Sequence, residues 1–317
     1  MIRYITQRLI ESIVVLFVMS FVIYALIGLM PGDPVDLMIT ADPRATSEDA
    51  ARLRALYGLD RPIGERYVAW LGAAVQGDLG YSRIHARPVL EVLWPRLGNT
   101  AALMGVSFAL AIAIALPCGL WAAVRPRTVT DTAINLAAFA GISVPPFWLA
   151  ILLIILFAVV LGWLPAGGMP SSGAGLGAGP AYLVLPVATL TIVTVGGIIR
   201  FVRAAAIEAL RQDYVRTARA KGLSGRQVVL GHVLRNAMIP VVTILALNFG
   251  ALFSGALITE TMFGFPGMGR AYVQAISQRD YSMIMGTTLI YALLVAVANL
   301  SVDIVYVFLD PRIRLTE

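Results

Sequence analysis

Lysine, cysteine and histidine are nearly absent from these 317 residues: Lys221 and Cys118 stand alone, and His85 and His232 are the only histidines. A single cysteine forms no internal disulfide. Cys118 sits beside Pro117 in an apolar stretch and reads as a packed thiol. One cysteine and two distant histidines leave no Cys/His zinc constellation. The lone lysine precedes Gly222 and lies outside any G-x-x-x-x-G-K-[ST] sequence, so the chain is not expected to bind or hydrolyse ATP. Charge is scarce as well, at 13% of residues against roughly 25% in ordinary domains. A soluble globular protein is excluded.

What is abundant is apolar: 59% of the residues are hydrophobic, with a mean hydropathy of +0.82. A helix needs about 20 such residues to cross a bilayer core. Uncharged runs of that order occupy 12–30, 97–124, 236–259 and 281–302. A fifth, 132–199, is interrupted by SSGAGLGAGP at 171–180 and divides into two. These runs predict an all-α integral membrane protein with six transmembrane helices. The first run is too long for a signal peptide, and no small-x-small cleavage site follows it before Pro31, so it reads as an anchor.

The basic pI of 9.7 reflects sidedness. The N-terminus, the 124–131 and 200–235 connections and the tail together hold 14 of the 24 Lys+Arg and 6 of the 18 acids. The opposite side holds 10 and 11. Basic connections stay in the cytosol, which predicts both termini inside and makes nucleic acid the poorer explanation. The chain thus divides into 1–30 (cytoplasmic end and first span), 31–96 (external) and 97–317 (the five-span core, with the cytoplasmic loop 204–235).

Thr46 with Asp49 forms a capping-box pattern for a helix over 46–57, ended by Gly58. It reads equally as a solvated lid or a docking surface. Ala101, Gly105, Ala109 and Ala113, and later Ala246, Gly250 and Ser254, make small-residue stripes suited to close helix contact in lipid. Ser143, Pro145 and Pro146 interrupt the third span, as a packing kink or as a break lining a pathway; Pro186 poses the same choice in the fourth. Gly173, Gly175 and Ala178 fit G-x-G-x-x-A, but no strand precedes them, so they belong to a flexible external loop.

The most informative stretch is 200–235. Good helix formers run from Ala204 to Lys221, Gly222 breaks them, and Ser224 with Gln227 makes a second capping box for a helix reaching about Arg235. Two helices meeting at a glycine form a knuckle whose Val215, Ala218 and Leu223 would enter a partner's groove, ringed by arginines. A basic loop lying on anionic lipid is the plainer reading, but such a loop needs neither elbow nor cap.

YVRTARAKGLS (214–224) and LRNAMIP (234–240) resemble the cytoplasmic coupling loop of ABC importer permease subunits, in the dipeptide/oligopeptide/nickel branch. PGDP (31–34), GDLGYS (77–82), GWLPAGG (162–168), TETMFGFPGMGR (259–270) and DPRIR (310–314) match the same branch in order. The resemblance implies a type I ABC importer permease fold in a bacterial inner membrane. It assigns ATPase coupling to Asp213, Tyr214, Val215, Arg216, Thr217, Ala218, Arg219, Ala220, Lys221, Gly222, Leu223 and Ser224. Permeases outside this branch often begin the motif with glutamate, where this chain has Asp213. The segment holding Glu260, Met262, Phe263, Phe265 and Met268 is expected at the external mouth of the pathway. Pro145, Pro146, Asn248 and Asn299 are further pathway candidates. Asp303, an acid within a span, is expected to pair with Arg200 or Arg203.

The resemblance also implies partners: a second homologous permease, two cytosolic ABC ATPases carrying ATP and Mg, an external substrate-binding protein, and lipid. This chain would bind no cofactor and no nucleic acid, and would catalyse nothing. Peptides are the implied cargo, with nickel complexes and glycosides as alternatives among close relatives. A secondary transporter would call for an internal repeat and several buried ionisable groups. An intramembrane hydrolase would need a base beside a span serine. A scaffold subunit is the remaining rival.

Overall fold

A computed structural model of the chain describes residues 2–29, 46, 48, 51–52, 55, 60–169 and 179–309. The 31–34 and 310–314 motifs, most of the 46–57 helix with Gly58, the 173–178 glycines and the side chain of Asp303 lie outside the described set. Among the described residues eleven helices and one hairpin follow in order: α1 (Ile2–Gly28), α2 (Ile63–Val75), β1 (Tyr81–Ser82), β2 (Arg87–Pro88), α3 (Val89–Val124), α4 (Val129–Ser143) and α5 (Pro146–Leu153). Then come α6 (Ala181–Leu210), α7 (Asp213–Ala220), α8 (Gly225–Gln227), α9 (Leu234–Met262), α10 (Met268–Ser277) and α11 (Tyr281–Leu309). Wider π-helical turns at Ile154–Val160 and Val228–Val233 extend α5 and join α8 to α9.

Five described helices are long and apolar enough to span a membrane, and α4 with extended α5 makes a sixth if counted as one bent span. The bend is 102°. Its cause is local. Val144 and Pro145 are extended, Pro146 opens α5, and Pro has no N–H to continue the α4 ladder. The helix is therefore broken, not merely curved, at Pro145–Pro146. Pro186, by contrast, lies buried inside an unbroken α6.

The chain forms two compact units, Met1–Leu97 with Ala271–Val297, and Gly98–Arg270 with Ala298–Glu317. In the first, Tyr67 of α2 bonds Ser20 Oγ at 2.8 Å and donates to the Phe17 carbonyl at 3.2 Å. Phe17, Phe21 and Tyr24 meet its ring edge-on. A separate apolar cluster joins Leu79, Val89 and Leu93 to Ala271, Ala275 and Met283. Tyr67, Leu79, Val89 and Leu93 of the 31–96 segment thus pack against residues of 1–28 and 271–297.

In the second unit α6 is the central element, with Leu190, Ile198, Val202 and Ala206 buried against neighbours that include α4 and α9. Lipid tails are as apolar as leucine, so close fit rather than water exclusion holds such helices together. The contact of α4 with α6 shows it. A Cβ on Gly196 would collide with the Ala138 carbonyl, and one on Gly141 would lie 2.9 Å from the Ile192 carbonyl. Cys118 is half-buried beside this core as a free thiol.

Candidate functional site

The 204–221 helix expected from sequence is interrupted. α6 ends at Leu210, and α7 restarts at Asp213 after extended Gln212. At the far end Lys221 N and Gly222 N donate to the Thr217 and Arg219 carbonyls, each at 3.0 Å, and Leu223 N reaches back to Ala218 at 3.3 Å. Gly222 holds φ at +80°, a left-handed conformation that glycine adopts without Cβ strain. The elbow is a chain reversal closed by its own backbone.

Ser224 then caps the next helix reciprocally: its backbone N–H donates to Gln227 Oε1 at 2.9 Å, and its Oγ accepts from Gln227 N. That helix does not stop near Arg235. It runs through the π turns into α9, so the knuckle is continuous with a membrane span.

The faces of α7 are the reverse of the sequence expectation. Val215 and Ala218, at 1% and 3% exposure, pack into the chain's own core with Val228 and Val233, and Leu223 packs beside them. They are not free to enter a partner's groove. Amphipathic spacing defines a shared face but not what covers it. The outward face is polar: Asp213, Arg216, Thr217, Arg219, Ala220 and Lys221 are exposed. The Asp213–Arg216 pair, at 3.3 Å and fully in solvent, adds little stability. Half-buried Tyr214 has its phenol pKa raised by burial first and by Glu208 second.

A buried ion pair lies in the same unit. Arg203 of α6 donates from Nε and Nη2 to Asp131 Oδ1 and Oδ2 at 2.7 and 2.8 Å. Asn135 Nδ2 and Arg127 N also donate to that carboxylate, at 2.6 and 2.9 Å. Of the pairing expected between Asp303 and Arg200 or Arg203, the structure shows Arg203 held by Asp131 and Arg200 exposed, while the Asp303 side chain lies outside the described residues. Thr128-x-x-Asp131 is itself a capping pattern, and Asp131 N does donate to Thr128 Oγ1. The three-residue spacing that carries this cap is readable in the sequence.

The 259–270 segment is packed within the chain. Glu260, Phe263, Phe265 and Met268 are buried, at 2% exposure or less, and Met262 is half-buried, so these side chains do not line an open mouth in this chain. Glu260 is a structural hub. Thr100 Oγ1 donates to its Oε1 at 2.5 Å while accepting from Met268 N at 2.9 Å, and Arg270 N donates to Oε2 at 3.1 Å. The Arg270 guanidinium in turn holds the Gly264 carbonyl. Of the other pathway candidates, Pro145 and Asn299 are exposed, Pro146 is half-buried, and Asn248 is half-buried with its amide on the Ile244 carbonyl.

In the first unit, Ser82 Oγ donates to Asp280 Oδ2 at 2.6 Å and lies 3.1 Å from His85 Nδ1, while Arg96 Nη2 meets His85 Nε2 at 2.9 Å. Arg96 can only donate, so Nε2 accepts and the ring proton resides on Nδ1. A serine and a histidine are thus adjacent after all. Ser82 is fully buried and its proton is committed to Asp280, which does not activate it as a nucleophile.

Family models match nearly the whole chain. Residues 115–315 match the family described as binding-protein-dependent transport system inner membrane component, and residues 1–104 match its N-terminal companion. The chain is 39% identical over 317 residues to the oligopeptide transport system permease protein AppB of Bacillus subtilis, covering 99% of this chain and 100% of that one. It is 38% identical over 314 residues to the glutathione transport system permease protein GsiC of Escherichia coli K12, covering 99% of each. Among solved structures it resembles the MetNI methionine ABC transporter in an inward-facing form, with a TM-score of 0.56 at 18% identity, covering 70% of this chain and 97% of that one. An amino acid ABC transporter gives 0.52 at 15%, covering 68% and 93%. At these identities the structures establish the fold.

Proposed function

Since the chain belongs to the binding-protein-dependent transport system inner membrane component family, we propose that it is the permease subunit of an ATP-driven peptide importer. Full-length likeness to permeases named for oligopeptides and for glutathione supports peptides as the cargo class. In this reading the chain supplies half of a transmembrane pathway and a second, related permease supplies the rest. The small residues Ala101, Gly105, Ala109 and Ala113 lie exposed along α3, a face open to close helix contact.

The knuckle carries the proposal. A short helix, a left-handed glycine and a capped restart form a compact cationic projection continuous with α9. Such a body transmits displacement, because pushing on α7 moves a span rather than a slack loop. Cytosolic ATPases would seat Asp213–Ser224, with ATP and Mg held on their side; this chain binds neither and is not itself an enzyme. In this reading both termini lie in the cytoplasm of a bacterial inner membrane and 31–96 lies outside, toward the substrate-binding protein, which the basic connections support. Alternating access then follows ATP binding and hydrolysis in the partners.

The experiment is uptake of labelled short peptides into proteoliposomes holding this chain, its partner permease and the ATPase pair, with binding protein added outside. Accumulation should need both ATP and binding protein. Peptide uptake driven by a proton gradient in vesicles containing this chain alone would reject the reading in favour of a secondary transporter.

A further inference from the structure

Where α3, α6 and α8 end near the knuckle, the second unit contains a cleft of about 1030 Å³. Arg125, Arg127, Arg211, Arg219 and Arg226 line it together with Arg203, and no Asp or Glu is among its lining residues. Arg203 is neutralised by Asp131 behind it. The other five are exposed and make no ion pair among the described residues. Five like charges around one concavity repel one another and raise the local potential, which an anion relieves.

The walls select among anions. Leu120 and Val228 are buried at the cleft, while Trp121, Val124 and Leu230 remain 54%, 44% and 49% exposed at its edge. The Arg125 guanidinium lies 5.7 Å from the centre of the Trp121 ring. Tryptophan at the end of a span marks the membrane–water interface. Free phosphate would satisfy the arginines and leave these apolar edges wet, and an acidic polypeptide would do the same. We propose that the cleft is a binding site for an anionic phospholipid, its phosphate held by the arginine forks and its acyl chains lying over Trp121, Val124 and Leu230. The site does not depend on the cargo; it shares Arg219 with the segment assigned to coupling, whereas Arg125, Arg127, Arg211 and Arg226 lie outside that segment.

The test uses the transporter purified in detergent with its partners bound, offered equal amounts of phosphatidylglycerol and phosphatidylcholine, with retained lipid read by native mass spectrometry. Phosphatidylglycerol should be retained in preference. The triple variant Arg125→Gln, Arg211→Gln, Arg226→Gln should lower its retention by about tenfold or more, given roughly a fivefold factor per arginine, and leave phosphatidylcholine unchanged. If the triple variant does not fold, Arg226→Gln alone should lower retention about fivefold. Equal retention by wild type and variant overturns the proposal. So does complete displacement by inorganic phosphate, which assigns the cleft to free anions. Retention found only after the ATPases are stripped away also overturns it, because the cleft then belongs to the protein interface.

Discussion

Arg203 and Asp131 lie 72 residues apart and meet through two parallel hydrogen bonds, at 2.7 and 2.8 Å, that tie α6 to the first turn of α4. Asp131 is nearly sealed from solvent, with 6% of its side chain exposed, whereas Arg203 keeps 26%. Removing one partner of a buried pair strands the other charge, at a cost of about 3–5 kcal/mol when both are fully enclosed. Partial exposure of Arg203 reduces this to roughly 2–3 kcal/mol for Asp131→Ala. Arg203→Lys should fall between wild type and Arg203→Ala, because an ammonium cannot bond both oxygens as a fork does. Thermal unfolding of the detergent-solubilised chain, run as a double-mutant cycle, measures the coupling. Additive single effects would mean the pair contributes nothing.

Glu260 gives a sharper case. It is completely buried and accepts from a hydroxyl and a backbone N–H, while that hydroxyl accepts from Met268 N. Glu260→Gln is nearly isosteric yet replaces one acceptor by a donor, so at least one buried donor loses its partner whichever way the amide turns. The expected cost is about 1–3 kcal/mol. Gly267→Ala should be as damaging by another route, since its Cβ would occupy the space of the Glu260 carboxylate. Both variants should lower the yield of folded protein in membranes. An unchanged melting temperature for Glu260→Gln would show that the acid is not the hub of the 259–270 turn.

These two sites mark how far the sequence could be read. The spans follow from uncharged runs, and the Ser224–Gln227 cap from a three-residue spacing; both are local signals. Thr128–Asp131 is equally local and was legible. The Glu260–Thr100 bond joins residues 160 apart, and no periodicity encodes it. The break at Arg211–Gln212 has no proline or glycine to announce it. Val215 and Ala218 show a further limit: three-residue spacing puts them on one face, but only the assembled core shows that this face is already covered.

That covered face separates two kinds of knuckle variant. Val215→Asp would bury a charge in the core beside Val228 and Val233, so the chain should fail to accumulate in membranes. Arg216→Glu with Lys221→Glu changes only exposed positions, where substitutions usually stay within about 0.5 kcal/mol. It should leave the melting temperature in place and reduce ATP-driven uptake by about tenfold or more, because two desolvated charge contacts at an interface are replaced by repulsion. Gly222→Pro would lose the N–H bonded to Arg219 and force φ from +80° to about −65°, and should abolish uptake while ATPase activity persists. Normal uptake by the double charge reversal would place the docking surface elsewhere.

His85 sets a pH dependence in the first unit. Burial is the largest influence and Arg96 the next, both lowering its pKa from 6.5, with Asp280 opposing them. The hydrogen bond from Arg96 to Nε2 has the same sense, since that nitrogen must stay unprotonated to accept it. The unfolded chain therefore binds this proton more readily than the folded one, and folding releases it. Stability from the neutral ring is fully present above pH 6.5 and falls away as the pH drops below that value toward the folded-state pKa. Melting curves at about pH 7.5 and pH 5.5 should show a lower transition at the acid end. In His85→Gln, which keeps a donor and an acceptor but cannot titrate, that part of the shift should vanish. An identical acid shift in the variant would place the responsible proton on another group.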